Sequence, residues 1–98
     1  MQWSDPKFSY FHNKYFVIDD RLAIIGTGNY SPSYIASERN YVVFDEDPAD
    51  VASASSVFDA DWTARDPVLP CTRLLVSPLN ARARLLALIQ SAKTSLRI

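Results

Sequence analysis

The chain has 98 residues, which limits it to one small domain. Nearly half are apolar and 12% are aromatic, which excludes a disordered composition, and a net charge of −1 gives no whole-chain case for nucleic-acid binding. The charge is uneven: residues 1–70 hold all 11 acids against five basic residues, and residues 71–98 hold five basic residues and no acid.

Phe8 to Ile18 is rich in aromatic and β-branched residues and reads as a strand. Asp19-Asp20-Arg21 suits a tight turn, and Leu22 to Ile25 reads as a buried strand returning beside the first. The loop Gly26-Thr27-Gly28-Asn29 holds both glycines of the chain. Ser31-Pro32 is an N-cap and first helical position for a short helix to about Ala36. Asn40 to Phe44 is a third strand candidate.

Asp47-Pro48 opens a second helix, along which Val51, Ala54, Phe58 and Trp62 fall at helical spacing and predict a core-facing stripe. That helix should fail by Asp66-Pro67, ahead of a stiff Pro67-Val68-Leu69-Pro70 connector. Arg73 to Val76 reads as a strand, with Cys71 as a small apolar residue at its start. Asn80 can cap a helix from Ala81 to about Lys93, with Leu85, Leu86, Leu88, Ile89 and Ala92 on its apolar side. Ser95-Leu96-Arg97-Ile98 begins another extended segment. The expected class is α/β, a mixed sheet flanked by helices, with the Val51–Trp62 and Leu85–Ile89 faces packed on it. The lone cysteine excludes an internal disulfide and a cysteine metal cluster. No apolar run approaches a membrane span, and the start, Met1-Gln2-Trp3-Ser4-Asp5, lacks signal-peptide character.

The chemistry centres on His12, the only histidine in the sequence, with Lys14 two residues later. On a strand that spacing projects an imidazole and an ammonium to one face, and the glycine-containing turn can bring Asn29 toward them. Each residue has a plain reading: a surface histidine, a solvated lysine, an asparagine in a turn. Their joint order is what points to attack on a phosphate ester. His12-x-Lys14, four residues, Asp19, six residues, then Gly26-Thr27-Gly28-Asn29 resembles the HKD motif of the phospholipase D superfamily. Ser77-Pro78-Leu79-Asn80-Ala81-Arg82 and the amphipathic run after it resemble the opening of the second repeat in bacterial two-motif members, including cardiolipin-synthase-like proteins. The resemblance implies a partial repeat with the motif over 1–66, a connector over 67–72 and the start of a second, truncated repeat over 73–98. Both ends then fall inside expected repeats, so a fragment is the expectation.

The resemblance also implies roles. His12 would match the histidine that attacks phosphorus, or its partner that protonates the leaving group. Lys14 would match the phosphate-binding lysine and Asn29 the amide that donates to the same oxygens. Thr27 stands where many members have serine, between Gly26 and Gly28. Asp19 lies an odd number of residues from His12, which favours a structural role in the turn. The family usually places an acid just before the third strand to orient the nucleophile's ring. Asn40 holds that place by spacing and Glu38 is the nearest acid; either could serve, Asn40 without a charge. No metal and no organic cofactor are implied.

The family needs two motifs facing one another, and this chain has one. A second would come from a downstream region or from a homodimer partner. Three readings compete. The first is a phosphodiesterase or phosphatidyltransferase acting on phospholipid or another phosphodiester. The second is a nuclease of the same superfamily, against which the acidic motif-bearing region weighs. The third is a non-catalytic association module. The basic tail can meet an anionic membrane surface, although a solvated helix face is its plainer reading.

Overall fold

The computed structural model describes residues 5–69 and 72–97. Three strands, β1 (Tyr15–Ile18), β2 (Leu22–Gly26) and β3 (Val42–Asp45), form an antiparallel sheet in the order β1-β2-β3. Helix α1 (Pro32–Ser37) lies between β2 and β3, α2 (Pro48–Thr63) follows β3, and α3 (Ala81–Gln90) lies near the C-terminal end. The class is mixed α/β, as expected, although both strand pairings are antiparallel and the sheet is not a mixed one.

The β1–β2 hairpin pairs Tyr15 with Ile25 and Ile18 with Leu22. At its turn Arg21 N–H donates to the Ile18 carbonyl at 3.0 Å, and Asp19 and Asp20 both adopt positive φ, 51° and 49°. Mirror-image hairpin turns need that geometry, and aspartate tolerates it better than most residues. Asp19→Val should therefore cost about 1–2 kcal/mol, whereas Asp19→Gly should be neutral or stabilising. Thermal unfolding of the two variants reads this directly.

β1 is shorter than the strand expected over Phe8–Ile18, and register is the reason. Gly26 N–H donates to the Lys14 carbonyl at 2.8 Å, the last position where β2 supplies a partner. Residues 8–13 have no neighbouring strand among the described residues. β3 likewise starts at Val42, because the Thr27 loop takes the polar groups of Asn40 and Tyr41.

α2 packs on one sheet face through a small core of Ala23, Val51 and Ala54, with Tyr15, Val17, Ile25 and Leu74 around it. Asp47 caps the helix by accepting from Ala49 N–H at 2.9 Å, Pro48 occupies its first turn, and left-handed Ala64 ends it. The buried stripe differs from the expected one. It runs through Val51, Ala54, Val57 and Ala60, while Phe58 and Trp62 are 55% and 53% exposed and stack on each other. Both stripes have helical spacing and diverge after Ala54; the small side chains are the ones that let the helix approach the sheet.

Residues 72–76 run without strand pairing, contrary to the strand expected there. Side chains satisfy the backbone instead. Asp50 accepts from Arg73 N–H, Thr72 Oγ1 from Leu74 N–H, and Asn80 Oδ1 from Val76 N–H. Asn80 is thereby diverted from capping α3, which ends at Gln90 rather than near Lys93. α3 buries none of its residues, so the expected packing of Leu85–Ile89 on the sheet is absent. Cys71 and Ile98, read as parts of extended segments, lie outside the described residues.

A buried polar anchor fixes the 72–76 segment. The Asp50 side chain is 1% exposed and accepts from Thr72 Oγ1, Arg73 N–H and Arg73 Nε, each at 2.7 Å. Arg73 also pairs with Asp45 and Asp47 at 3.4 Å. Burial alone would raise the Asp50 carboxyl; the Thr72 hydroxyl, the Arg73 amide and the guanidinium overcome it and hold the group at about 2.

Candidate functional site

The hairpin register sets His12 and Lys14 at the entrance to β1, not within a strand as expected. Lys14 is half-buried and turns back, its Nζ donating to the His12 carbonyl at 3.2 Å. The His12 ring is exposed and meets the Tyr10 ring edge-on, with centroids 6.0 Å apart. Among the described residues no side chain hydrogen-bonds to that ring. No carboxylate among the described residues orients it.

The Gly26–Asn29 loop folds back on this segment. Gly26 binds the Lys14 carbonyl, which also accepts from the Tyr30 hydroxyl at 3.4 Å. Tyr30 packs its ring on Phe16, with centroids 4.8 Å apart, so Tyr30 ties the loop to β1. Tyr10 and Tyr30 were not marked by the sequence. No spacing rule picks out an aromatic beside a motif, although the adjacency of Tyr30 to Asn29 is visible afterwards. Asn29 is exposed, and its carbonyl accepts from Ser31 N–H at 2.9 Å.

Thr27, Asn40 and Glu38 form a second, connected group. Thr27 Oγ1 accepts from Tyr41 N–H and donates to Asn40 Oδ1, both at 3.0 Å. Asn40 Nδ2 donates to Glu38 Oε2 at 3.4 Å. Gly28 is required by this arrangement, because a Cβ there would collide with the Asn40 side chain. Neither Asn40 nor Glu38 hydrogen-bonds to His12. The loop therefore joins two clusters, His12–Lys14–Gly26 and Thr27–Asn40–Glu38, at the Gly26–Thr27 peptide. Asp19 sits in the hairpin turn at the other end of β1, about 16 Å along the strand from Lys14.

Beside Lys14 opens an apolar cleft of about 290 Å³, walled by Phe8, Phe11, Tyr15, Val57, Leu74 and Leu79. Its walls exclude water enough to move nearby groups. Burial pushes the Tyr15 hydroxyl up to about 12, helped by the charges of Asp61 and Asp59, and burial raises the Asp61 carboxyl. Among the described residues no group of three or more His, Cys, Asp or Glu side chains is placed to hold a metal ion. None of their helices is long and apolar enough to cross a membrane.

Residues 1–62 match the family described as cardiolipin synthase, PLD-like domain. No curated protein and no solved structure matches the chain.

Proposed function

The chain belongs to the phospholipase D-like family, and we propose that it is the His12-bearing half of a site that hydrolyses or transfers phospholipid phosphodiesters. A ring nitrogen of His12 attacks phosphorus. A P–N bond forms, the P–O bond to the leaving alcohol breaks, and the departing oxygen takes a proton from an acid. Water or a second alcohol then attacks phosphorus, loses its proton, and releases the ring. Lys14 swings from the His12 carbonyl, a contact of only 3.2 Å, to the non-bridging oxygens as charge develops there. Asn29, exposed on the loop tied to Lys14, donates to the same oxygens. Gly26 and Thr27 hold that loop in place, and Asp19 shapes the turn.

One motif supplies a nucleophile but no opposing acid, and general acid catalysis is worth about 10²–10⁴-fold. Efficient turnover of a phospholipid thus calls for a second motif, from a downstream repeat or from another copy. In this reading residues 1–66 close one repeat, 67–72 connect, and 73–98 open the next. Asn40 sits where the ring-orienting acid is usual. It is bound to Thr27 and Glu38 and makes no hydrogen bond to the His12 ring.

The apolar cleft against Lys14 favours lipid over nucleic acid. A phosphate held by Lys14 would have an apolar chain within reach of that cleft, whereas a nucleotide would meet Lys14 and Arg65 there interleaved with Asp61 and Asp66. Titration of the labelled chain with a short-chain phosphatidylglycerol and with a dinucleotide is the test. The lipid should shift the amides of Lys14, Tyr15 and Val57 and saturate at a concentration at least about tenfold lower, the equivalent of 1.4 kcal/mol. Tighter binding of the dinucleotide would favour the nuclease reading, and a lipid response that bypasses the cleft would remove this one.

A further inference from the structure

The loop that carries Asn29 is fastened at two points. On the β3 side, Thr27 N–H donates to the Tyr41 carbonyl at 3.0 Å, and the Thr27 hydroxyl joins Tyr41 N–H to the Asn40 side chain. On the β1 side, the Tyr30 hydroxyl reaches the Lys14 carbonyl at 3.4 Å, the same oxygen that takes the Gly26 N–H at 2.8 Å. The Tyr30 ring lies on Phe16 and steadies that contact. Asn29 falls between the two fastenings, and among the described residues its side chain makes no hydrogen bond. Helix α1, which follows at once, does not anchor the loop, because it buries none of its residues. Tyr30 therefore fixes the downstream side of Asn29.

Gly26 admits this tyrosine. Its φ is not positive, so the backbone there does not call for glycine. The space does. A Cβ on Gly26 would lie 2.8 Å from the Tyr30 hydroxyl oxygen and 3.4 Å from the ring carbon that bears it. The glycine that ends β2 and the tyrosine after Asn29 are thus fitted to each other across the loop. A packing role would be met by the ring on Phe16 alone. The hydroxyl does something more specific, because it ties the residue after Asn29 to the carbonyl of Lys14 itself.

We infer that Tyr30 is a positioning residue for a bound phosphate: it holds Asn29 against Lys14, so that the amide and the ammonium reach the same non-bridging oxygens. An Asn29 left unfastened would have to be ordered each time a phosphate binds, and fastening it in advance removes that cost. The inference rests on the phosphate-binding roles proposed above for Lys14 and Asn29, and not on attack by His12.

Two variants reach the contact from opposite sides. Tyr30→Phe keeps the ring on Phe16 and drops the hydroxyl; Gly26→Ala keeps the hydroxyl and pushes it off the Lys14 carbonyl. The test is titration of the isotope-labelled chain with inorganic phosphate, read by NMR at the Lys14 backbone amide and the Asn29 side-chain amide. In the parent both signals should move with one dissociation constant. Each variant should weaken binding by about three- to tenfold, the worth of one net hydrogen bond, and shrink the Asn29 response while the Lys14 response persists. Combined, they should weaken it no more than either alone. In an Asn29→Ala background Tyr30→Phe should have no further effect, a result that a merely structural tyrosine would not give. Circular dichroism matching the parent establishes folding, and Tyr30→Phe with the Asn29→Ala background carries the test should Gly26→Ala not fold. Tyr30→Phe binding as the parent does would overturn the inference. So would an equal effect of Tyr30→Phe with and without Asn29, or a parent in which Lys14 and Asn29 do not respond together to phosphate. Phosphate binding is read without any bond to His12. Absence of label on His12 would thus remove the proposed reaction and leave this assignment, and the reverse also holds.

Discussion

His12→Ala abolishes covalent labelling of the chain by an activated phosphodiester, while Lys14→Ala slows it by about 10²–10³-fold. The difference follows from the roles proposed for the two side chains. Removing the nucleophile removes the bond to phosphorus. Removing the lysine leaves that bond possible but withdraws the charge that steadies the non-bridging oxygens. Lys14→Arg should recover only part of the rate, since a planar fork cannot take the place of a compact ammonium that reaches back to the His12 carbonyl. Asn29→Ala should fall between the two. Asp19→Gly should label at the parent rate, because it lies in the hairpin turn at the far end of β1. Rapid quench followed by mass spectrometry gives each rate.

The Asp50 anchor carries the second large effect, on stability. Asp50→Ala should lower stability by about 2–3 kcal/mol. That is less than the roughly 3–5 kcal/mol of a fully buried pair, because Arg73 is 70% exposed and regains water. For a chain of this size the melting temperature drops by about 10–20 °C. Arg73→Ala should cost less than Asp50→Ala, since the Thr72 hydroxyl and the backbone amide still hold the carboxylate. The same anchor sets the acid limit. Its folded pKa, about 2, lies below the ordinary 3.8, so its contribution is complete above that ordinary value and is lost as pH falls from 3.8 toward 2. Denaturant titrations at pH 6 and pH 2.5 should show a loss in the parent that Asp50→Ala lacks. Equal acid sensitivity in both would assign the acid limit to other carboxylates.

Local chemistry made part of this fold legible in advance. The hairpin, the Asp47-Pro48 helix start and the loop at Gly26 are each written in neighbouring residues. What was not legible depends on partners distant in sequence. The length of β1 is set by where β2 ends. The buried side of α2 was chosen between two stripes of equal spacing by how closely a sheet approaches small side chains. Residues 72–76 look like a strand until Asp50, 22 residues before Thr72, takes their polar groups. At the site, the sequence marked His12, Lys14 and the loop. It did not mark Tyr30, whose hydroxyl reaches the Lys14 carbonyl, or the turning of Asn40 toward Thr27 and Glu38.

The central claim is that His12 can attack phosphorus without a second motif, provided the leaving group needs no proton. A bis-aryl phosphodiester with a good phenolate leaving group isolates that step from general acid catalysis. Acid-sensitive, base-stable label on His12, formed with release of one phenolate per labelled chain and absent from His12→Ala, is the predicted result. Phenolate release with no label on His12, or label on Thr27, Ser31 or Cys71 instead, would contradict it.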